Sequence, residues 1–217
     1  MKHTSRSEHS KFRTHSENIC HLISEEGLSF RPYAREALTY FSLLDEALQR
    51  AIVVDLMNYY QICLDMRATG QTLKSTRVFT EKALDRLDLH IDPKELERIE
   101  DQHIIEIYDV DQRQIFRSFR FFEVSSYTLE DLLCRRWYHI FLRPPEHEAA
   151  FQAKVNEFFT ASEKKTMELG LPECPVSESE TLERLKIFAQ VHRFVPLFDQ
   201  NKQFKAVMLV ITARPEK

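Results

Sequence analysis

The last strand-like segment of the chain is apolar on both of its faces. In "FKAVMLVITA", residues 204–213, alternation places Ala206, Met208 and Val210 on one face and Val207, Leu209 and Ile211 on the other. A β-strand that is apolar on both faces belongs to a sheet that is covered on both sides. The preceding run "VHRFVPLF" is separated from it by the polar connector 199–203, which is typical of a β-hairpin. The chain must therefore supply two layers of cover for its C-terminal sheet.

One of these layers is predicted from residues 36–66, which contain no proline or glycine. Apolar residues recur there at steps of three and four, as on one face of a helix: Phe41, Leu44, Leu48, Ile52, Leu56 and Tyr59. The near-heptad period favours self-association, so we predict that this stripe forms a homodimer interface. The alternative is that the stripe packs within its own domain.

The chain divides into three predicted segments and belongs to the α+β class. Residues 1–30 are polar and are predicted to be a disordered tail. Residues 31–101 form a helical region that also includes shorter helices over 75–90 and 92–101, the latter with Asp92 as N-cap and Pro93 in its first turn. Residues 102–217 mix helices and strands, beginning with a strand, a turn at 109–112 and a second strand.

Two helices are predicted between the strands of this last segment. Thr128 is placed to cap a helix that continues to the proline pair 144–145. A second, amphipathic helix covers 146–169, and Gly170 ends it.

Composition excludes several classes of function. The chain of 217 residues has three glycines and no glycine-rich phosphate loop. Its net charge of −4 and the acidic helix 92–101 make nucleic acid an improbable partner. No apolar run approaches the ~20 residues of a membrane span, and the N-terminus lacks the apolar core of a secretion signal. With four dispersed cysteines that read as reduced thiols, the expected location is the cytoplasm.

The C-terminal half resembles a PAS domain over residues 103–214. The resemblance is carried by "HIIEIYDVDQRQIFRSF", by "SYTLEDLLCRRWYHIFLRPPEHEAAF" and by "HRFVPLFDQNKQFKAVMLVITARPE". The sequence departs from the PAS pattern at Ser126 and Cys134, where glycines are expected, and at Val210, where the closing Asp-Ile-Thr has its Asp. The resemblance implies an antiparallel sheet flanked by helices around a pocket. Since no helix follows the last strand, a signal would leave through helix 36–66.

The pocket that this fold implies is expected to be aromatic and apolar. Its candidate residues are Ile105, Ile107, Phe116, Trp137, Phe141, Phe151, Phe194 and Met208. Aromatic stripes usually fill a core completely, so the expectation is that these side chains leave no open space; a cavity holding an apolar ligand or a planar cofactor is the alternative. The sequence identifies no cofactor and no metal site: His147, in the charged run "RPPEHEAA", is typical of a solvated histidine rather than a haem ligand.

A second cluster, in "RQIFRSFRFF" and "CRRW", is basic and aromatic. Its arginines either bind an anionic ligand or an acidic partner, or pair with the abundant carboxylates: Arg113, Arg117, Arg120, Arg135 and Arg136. The paired arrangement is the expectation.

The predicted function is that of a PAS-like cytoplasmic sensory or regulatory module. It would act in signal transduction by binding a partner protein, with or without a small ligand in its core, and without catalysis. The alternative is a small α+β enzyme with the cone fold of ketosteroid isomerases. Its acid–base pair would be drawn from Asp109, His139, His192 and Asp199.

Overall fold

The computed structural model describes residues 2–181 and 183–216 of the chain; residues 1, 182 and 217 of the predicted segments lie outside this description. The fold is α+β, as predicted, with an N-terminal helical region followed by a curled antiparallel sheet. The α-helices are α1 Lys2–Glu25, α2 Thr39–Ser42, α3 Glu46–Ala68, α4 Thr76–Arg86, α5 Pro93–Glu97, α6 Leu129–Cys134 and α7 Pro145–Thr160. Short 3-10 helices lie at Phe119–Glu123 and Trp137–His139. The strands are β1 Ile104–Asp109, β2 Gln114–Arg117, β3 Phe141–Leu142, β4 Met167–Glu168, β5 Cys174–Glu178, β6 Lys186–Phe198 and β7 Phe204–Pro215.

Side-chain caps explain where several helices begin. The Asp92 carboxylate accepts a hydrogen bond from Lys94 N at 3.0 Å at the start of α5. Thr128 and Asp131 form a capping box at the start of α6. Both caps satisfy backbone N–H groups that the first helical turn leaves without partners. The caps predicted at Asp92 and Thr128 are thus confirmed.

The N-terminal segment is helical rather than disordered, so that prediction is corrected. Helix α1 buries Phe12, Ile19, Leu22 and Ile23 on one face. These residues recur at helical spacing within an otherwise polar sequence. The ring centroids of Phe12 and Phe41 lie 4.5 Å apart, so α1 covers the helical region directly. The polar composition of residues 1–30 did not indicate this helix, because its few apolar residues form only a narrow stripe.

The predicted helix 36–66 is divided into α2 and α3. The division occurs before Asp45, whose carboxylate accepts a hydrogen bond from Leu48 N at 2.8 Å and so begins α3. The buried Glu130 carboxylate accepts hydrogen bonds from the backbone N–H groups of Tyr40 and Phe41 at 2.8 and 3.2 Å, which ties α2 to α6.

The stripe predicted as a dimer interface is internal core. Phe41, Ile52, Leu56 and Tyr59 are buried within the single chain, and Leu44 and Leu48 pack against the same core. The Tyr59 hydroxyl donates to the backbone oxygen of Arg117 in β2 at 2.8 Å. The alternative of packing within the domain therefore describes this stripe, and the interface prediction for these six residues is corrected.

The sheet is antiparallel throughout, in the order β2-β1-β7-β6-β5-β3, and β4 also pairs with β6. The terminal hairpin β6–β7 is its longest pairing, with register shifts between Val191 and Arg193 and between Leu197 and Phe198. Such irregularities bend a strand and increase its twist, which suits a curled sheet. In the connector 199–203, Asp199 Oδ1 accepts hydrogen bonds from Asn201 N and Gln203 N, each at 2.9 Å. The predicted hairpin is confirmed.

Helical cover lies on both faces of β7, as its two apolar faces require. On one face, Met208 lies opposite Ile107, which in turn lies opposite Phe116 on β2. The Phe116 ring contacts Tyr59 of α3 and Phe79 of α4, with centroids 5.6 and 5.1 Å away. This cover comes from the chain's own N-terminal helices. The other face lies under α7.

Two predicted helix ends are wrong. Helix α6 ends at Cys134, well before the proline pair, because the following segment turns and pairs β3 with β5. Helix α7 ends at Thr160, where Lys164 Nζ donates to the carbonyl oxygens of Phe158 and Phe159 at 3.1 and 3.0 Å. Met167–Glu168 then forms β4 instead of continuing the helix to Gly170.

Candidate ligand-binding site

A cavity lies between the curled sheet and helix α7. Its volume is about 100 Å³, several times the ~10–15 Å³ that one water molecule needs. The sheet contributes Val191 and Phe194 from β6 and Val207, Leu209 and Ile211 from β7. Helix α7 contributes Phe151, Val155 and Phe159. The cavity is therefore mainly apolar and aromatic, as small-molecule sites usually are.

Four of the eight predicted pocket residues line this cavity: Trp137, Phe141, Phe151 and Phe194. The other four, Ile105, Ile107, Phe116 and Met208, are fully buried on the opposite face of the sheet. Alternation along β1 and β7 separates the two faces correctly. Because both faces are apolar, the sequence does not indicate which one meets α7, and these four assignments are corrected.

A buried polar cluster forms one wall of the cavity. Glu106 of β1 lies directly opposite Arg117 of β2, and Glu106 Oε1 is 2.9 Å from Arg117 Nη2. The Tyr108 hydroxyl donates to Glu106 Oε2 at 2.6 Å and accepts from Arg117 Nη2 at 3.2 Å. All three residues line the cavity. The sequence analysis did not identify Glu106 and Tyr108 as site residues. Glu106 is a charged residue on an otherwise apolar strand face, between Ile104 and Tyr108, and that pattern could have indicated a buried polar site.

The surroundings of Tyr108 keep its phenol in one protonation state. Burial, and next the neighbouring Glu106 carboxylate, raise the pKa of Tyr108 well above its usual value. The phenol therefore stays protonated and remains a hydrogen-bond donor. The Arg117 guanidinium lies over the Phe121 ring, 3.8 Å from its centroid. Arg117 Nε and Nη1 are buried and have no hydrogen-bond partner among the described residues.

The rest of the cavity edge carries fewer polar groups. Trp137 Nε1 donates to Gln112 Oε1 at 3.1 Å. The Arg143 guanidinium lies 5.0 Å from the Phe151 ring centroid and pairs with Glu148 at 3.1 Å. His147 also lines the cavity.

The predicted acid–base candidates do not meet. None of Asp109, His139, His192 and Asp199 lines the cavity. Asp109 pairs with Arg113 at 2.9 Å, and His192 Nε2 is hydrogen-bonded to Thr212 at 2.9 Å. The Asp199 carboxylate accepts a hydrogen bond from Asn201 N within the hairpin connector. Nor do the described residues contain a group of His, Cys, Asp or Glu side chains able to hold a metal ion.

The arginines of the basic, aromatic patch are engaged within the chain. Arg113, Arg117, Arg120 and Arg135 form ion pairs with Asp55, Glu106, Glu123 and Asp131, respectively. Arg136 donates to the backbone oxygen of Asp111 at 3.1 Å. The expected pairing with carboxylates is confirmed for these ion pairs, and the patch as a whole is not a free cationic surface.

Comparison with protein-family models and with curated proteins found no match to this chain. Within the described residues, no helix has both the length and the apolar character to cross a membrane.

Proposed function

We propose that this chain is a PAS-like regulatory module that binds a small molecule between its sheet and helix α7. The observation that carries the proposal is the cavity itself, a space of about 100 Å³ with a buried polar cluster on a mainly apolar wall. Close packing normally leaves few voids larger than a water molecule in a core. A space of this size next to hydrogen-bonding groups is therefore better suited to a ligand than to core filling.

The arrangement of elements supports the PAS-like part of the proposal. Residues 104–215 run through two paired strands, short helices, a longer helix and the closing strands, and the strands assemble in the order β2-β1-β7-β6-β5. The sequence resemblance implies the same succession of elements along the chain and an antiparallel sheet flanked by helices. In this proposal the module works in the cytoplasm and passes a signal to a partner protein. Helices α3 and α4 cover the sheet face opposite the cavity, and α1 packs on α3, so these three helices are the proposed route from ligand to partner.

A homodimer remains part of the proposal, but on a surface other than the predicted stripe. Four residues of that stripe are buried within one chain and Leu44 and Leu48 are partly buried against the same core, so the stripe as a whole is not free to meet a second copy. Sedimentation velocity of the full chain tests this part. A dimer supports it, and a monomer across the accessible concentration range contradicts it.

Thermal denaturation in the presence of a library of small molecules tests ligand binding. A ligand that binds only the folded state raises the melting temperature by mass action. The matched control is Val207→Phe, which places a ring in the cavity. Molecules that stabilise the wild type but not this variant would support the proposal, and equal stabilisation of both proteins would contradict it.

One observation favours the alternative of a small α+β enzyme. A carboxylate, a phenol and a guanidinium meet on the cavity wall, at Glu106, Tyr108 and Arg117. Both Glu106 carboxylate oxygens already have partners, Arg117 Nη2 for Oε1 and the Tyr108 hydroxyl for Oε2, so neither is free to take a proton from a substrate. Turnover of an enolisable ketone that is lost in Glu106→Gln would favour the enzyme over the non-catalytic module.

A further inference from the structure

The polar wall of the cavity has hydrogen-bonding capacity that the chain does not use. The Arg117 side chain is 3% exposed, and its Nη2 serves both Glu106 and Tyr108. Its Nε and Nη1 have no acceptor among the described residues. A buried donor without an acceptor is costly, so an acceptor atom provided by a ligand would be bound favourably there. The N–H bonds of a guanidinium lie in its plane, so the acceptor must approach Arg117 in that plane.

The charges around the cavity favour an uncharged ligand. Arg117 already has the Glu106 carboxylate as its counter-ion, and Arg143 has Glu148. A carboxylate ligand would place a second negative charge beside Glu106, and an ammonium would place a second positive charge beside Arg117. Either charge would be buried without compensation in an apolar space.

The size and lining of the cavity favour one ring. The cavity volume is about 100 Å³, and an apolar protein cavity of roughly 150 Å³ is known to hold benzene. Aromatic rings on its wall offer edge-to-face contacts, as Phe151 and Phe194 make with each other at 5.8 Å.

We propose that the cavity binds a small, uncharged, mainly apolar molecule, about the size of one aromatic ring, whose carbonyl oxygen accepts hydrogen bonds from Arg117. This inference rests on the proposed function, because it names the ligand class for the same cavity. It adds that Arg117 determines specificity.

Four probes of similar size test the ligand class: toluene, acetophenone, benzoate and benzylammonium. Binding to the full chain is measured by ligand-observed NMR titration. We expect acetophenone to bind about tenfold or more tightly than toluene, because a hydrogen bond to a charged donor contributes on that scale. Both ions should bind more weakly than acetophenone. Equal binding of toluene and acetophenone, or tightest binding of benzoate or benzylammonium, would overturn the inference but leave the cavity as a binding site. Binding of none of the four would overturn the proposed function as well.

Variants separate the role of Arg117 from that of the cavity. A single Arg117→Met change leaves Glu106 buried without a cation, and removing both residues leaves the Tyr108 hydroxyl as a free donor on the same wall. The test therefore combines Glu106→Leu, Tyr108→Phe and Arg117→Met, which replaces the whole cluster with apolar side chains. We expect this triple variant to retain toluene binding and to lose the preference for acetophenone. Arg120→Gln, which removes an exposed ion pair of the same segment, is the matched control and should keep the preference. A triple variant that still prefers acetophenone would refute the assignment of Arg117.

Discussion

Two substitutions in the same strand distinguish the cavity from ordinary core. Val207 and Val210 of β7 are both buried, at 3% and 0% exposure, but they lie on opposite faces of the sheet. Val207 lines the cavity, whereas Val210 packs on the face covered by the N-terminal helices. Changing each to Phe adds the same volume at two positions that differ only in the space beside them.

The expected magnitudes differ because only one face has room. At Val210 the added ring must displace packed neighbours, which typically costs about 1–3 kcal/mol. For a chain of this length each kcal/mol corresponds to about 2–4 °C, so Val210→Phe should lower the melting temperature by about 2–12 °C. At Val207 the ring enters a space of about 100 Å³ and buries its own apolar surface there. We therefore expect Val207→Phe to change stability by less than about 1 kcal/mol.

Urea denaturation followed by circular dichroism, together with thermal melting, measures both variants under identical conditions. Equal m-values would show that the comparison reports stability rather than a change in the unfolded state. The reasoning is refuted if Val207→Phe loses as much stability as Val210→Phe, since the cavity face would then be as tightly packed as the other.

Three further predictions follow from the buried charges and the helical core. Arg117→Met should lower the free energy of unfolding by about 3–5 kcal/mol, because it leaves Glu106 buried and unpaired; the Glu106→Leu, Arg117→Met double variant should recover most of that loss. Urea denaturation of each protein measures the two values. Equal losses in the single and the double variant would contradict the pairing. Ile52→Glu should lower the free energy of unfolding by more than about 3 kcal/mol, because it buries a charge between α3 and the core of the same chain. Circular dichroism should then show loss of structure. A variant that is a folded monomer would instead indicate that Ile52 lies in a dimer interface. Burial raises the pKa of Asp55 from 3.8 to about 6, so the folded chain binds this proton more tightly than the unfolded chain. The contribution of Asp55 to stability should therefore fall by up to about 3 kcal/mol as the pH rises from about 4 to above 6. Asp55→Asn should lack that change when both proteins are unfolded with urea across this pH range. Parallel pH profiles of the wild type and the variant would contradict the prediction.

The parts of the fold that local chemistry dictates were visible in the sequence. The terminal hairpin follows from two apolar runs around 199–203, and the starts of α5 and α6 follow from the capping residues Asp92 and Thr128. The double cover of β7 follows from its two apolar faces. Each of these features depends on residues close together in the chain, where spacing and residue type carry the information.

The features that depend on distant contacts were not visible. Nothing local distinguishes the face of β7 that meets α7 from the face that meets α3, so Ile105 and Met208 were assigned to the wrong side. Helix α1 is stabilised by packing of a narrow stripe, not by its composition. The pairing of Glu106 with Arg117 needs the register of β1 and β2, which includes an irregularity at Ile107 and Tyr108.

Native mass spectrometry of the wild type and of Val207→Phe, purified in parallel from the same host cells, tests most directly whether the cavity holds a ligand. The two proteins differ only in whether that space is filled. We predict that the wild type carries an additional small mass that is released on unfolding, and that Val207→Phe does not. Identical bare masses for the two proteins, or the same bound mass on both, would contradict a ligand site between the sheet and α7.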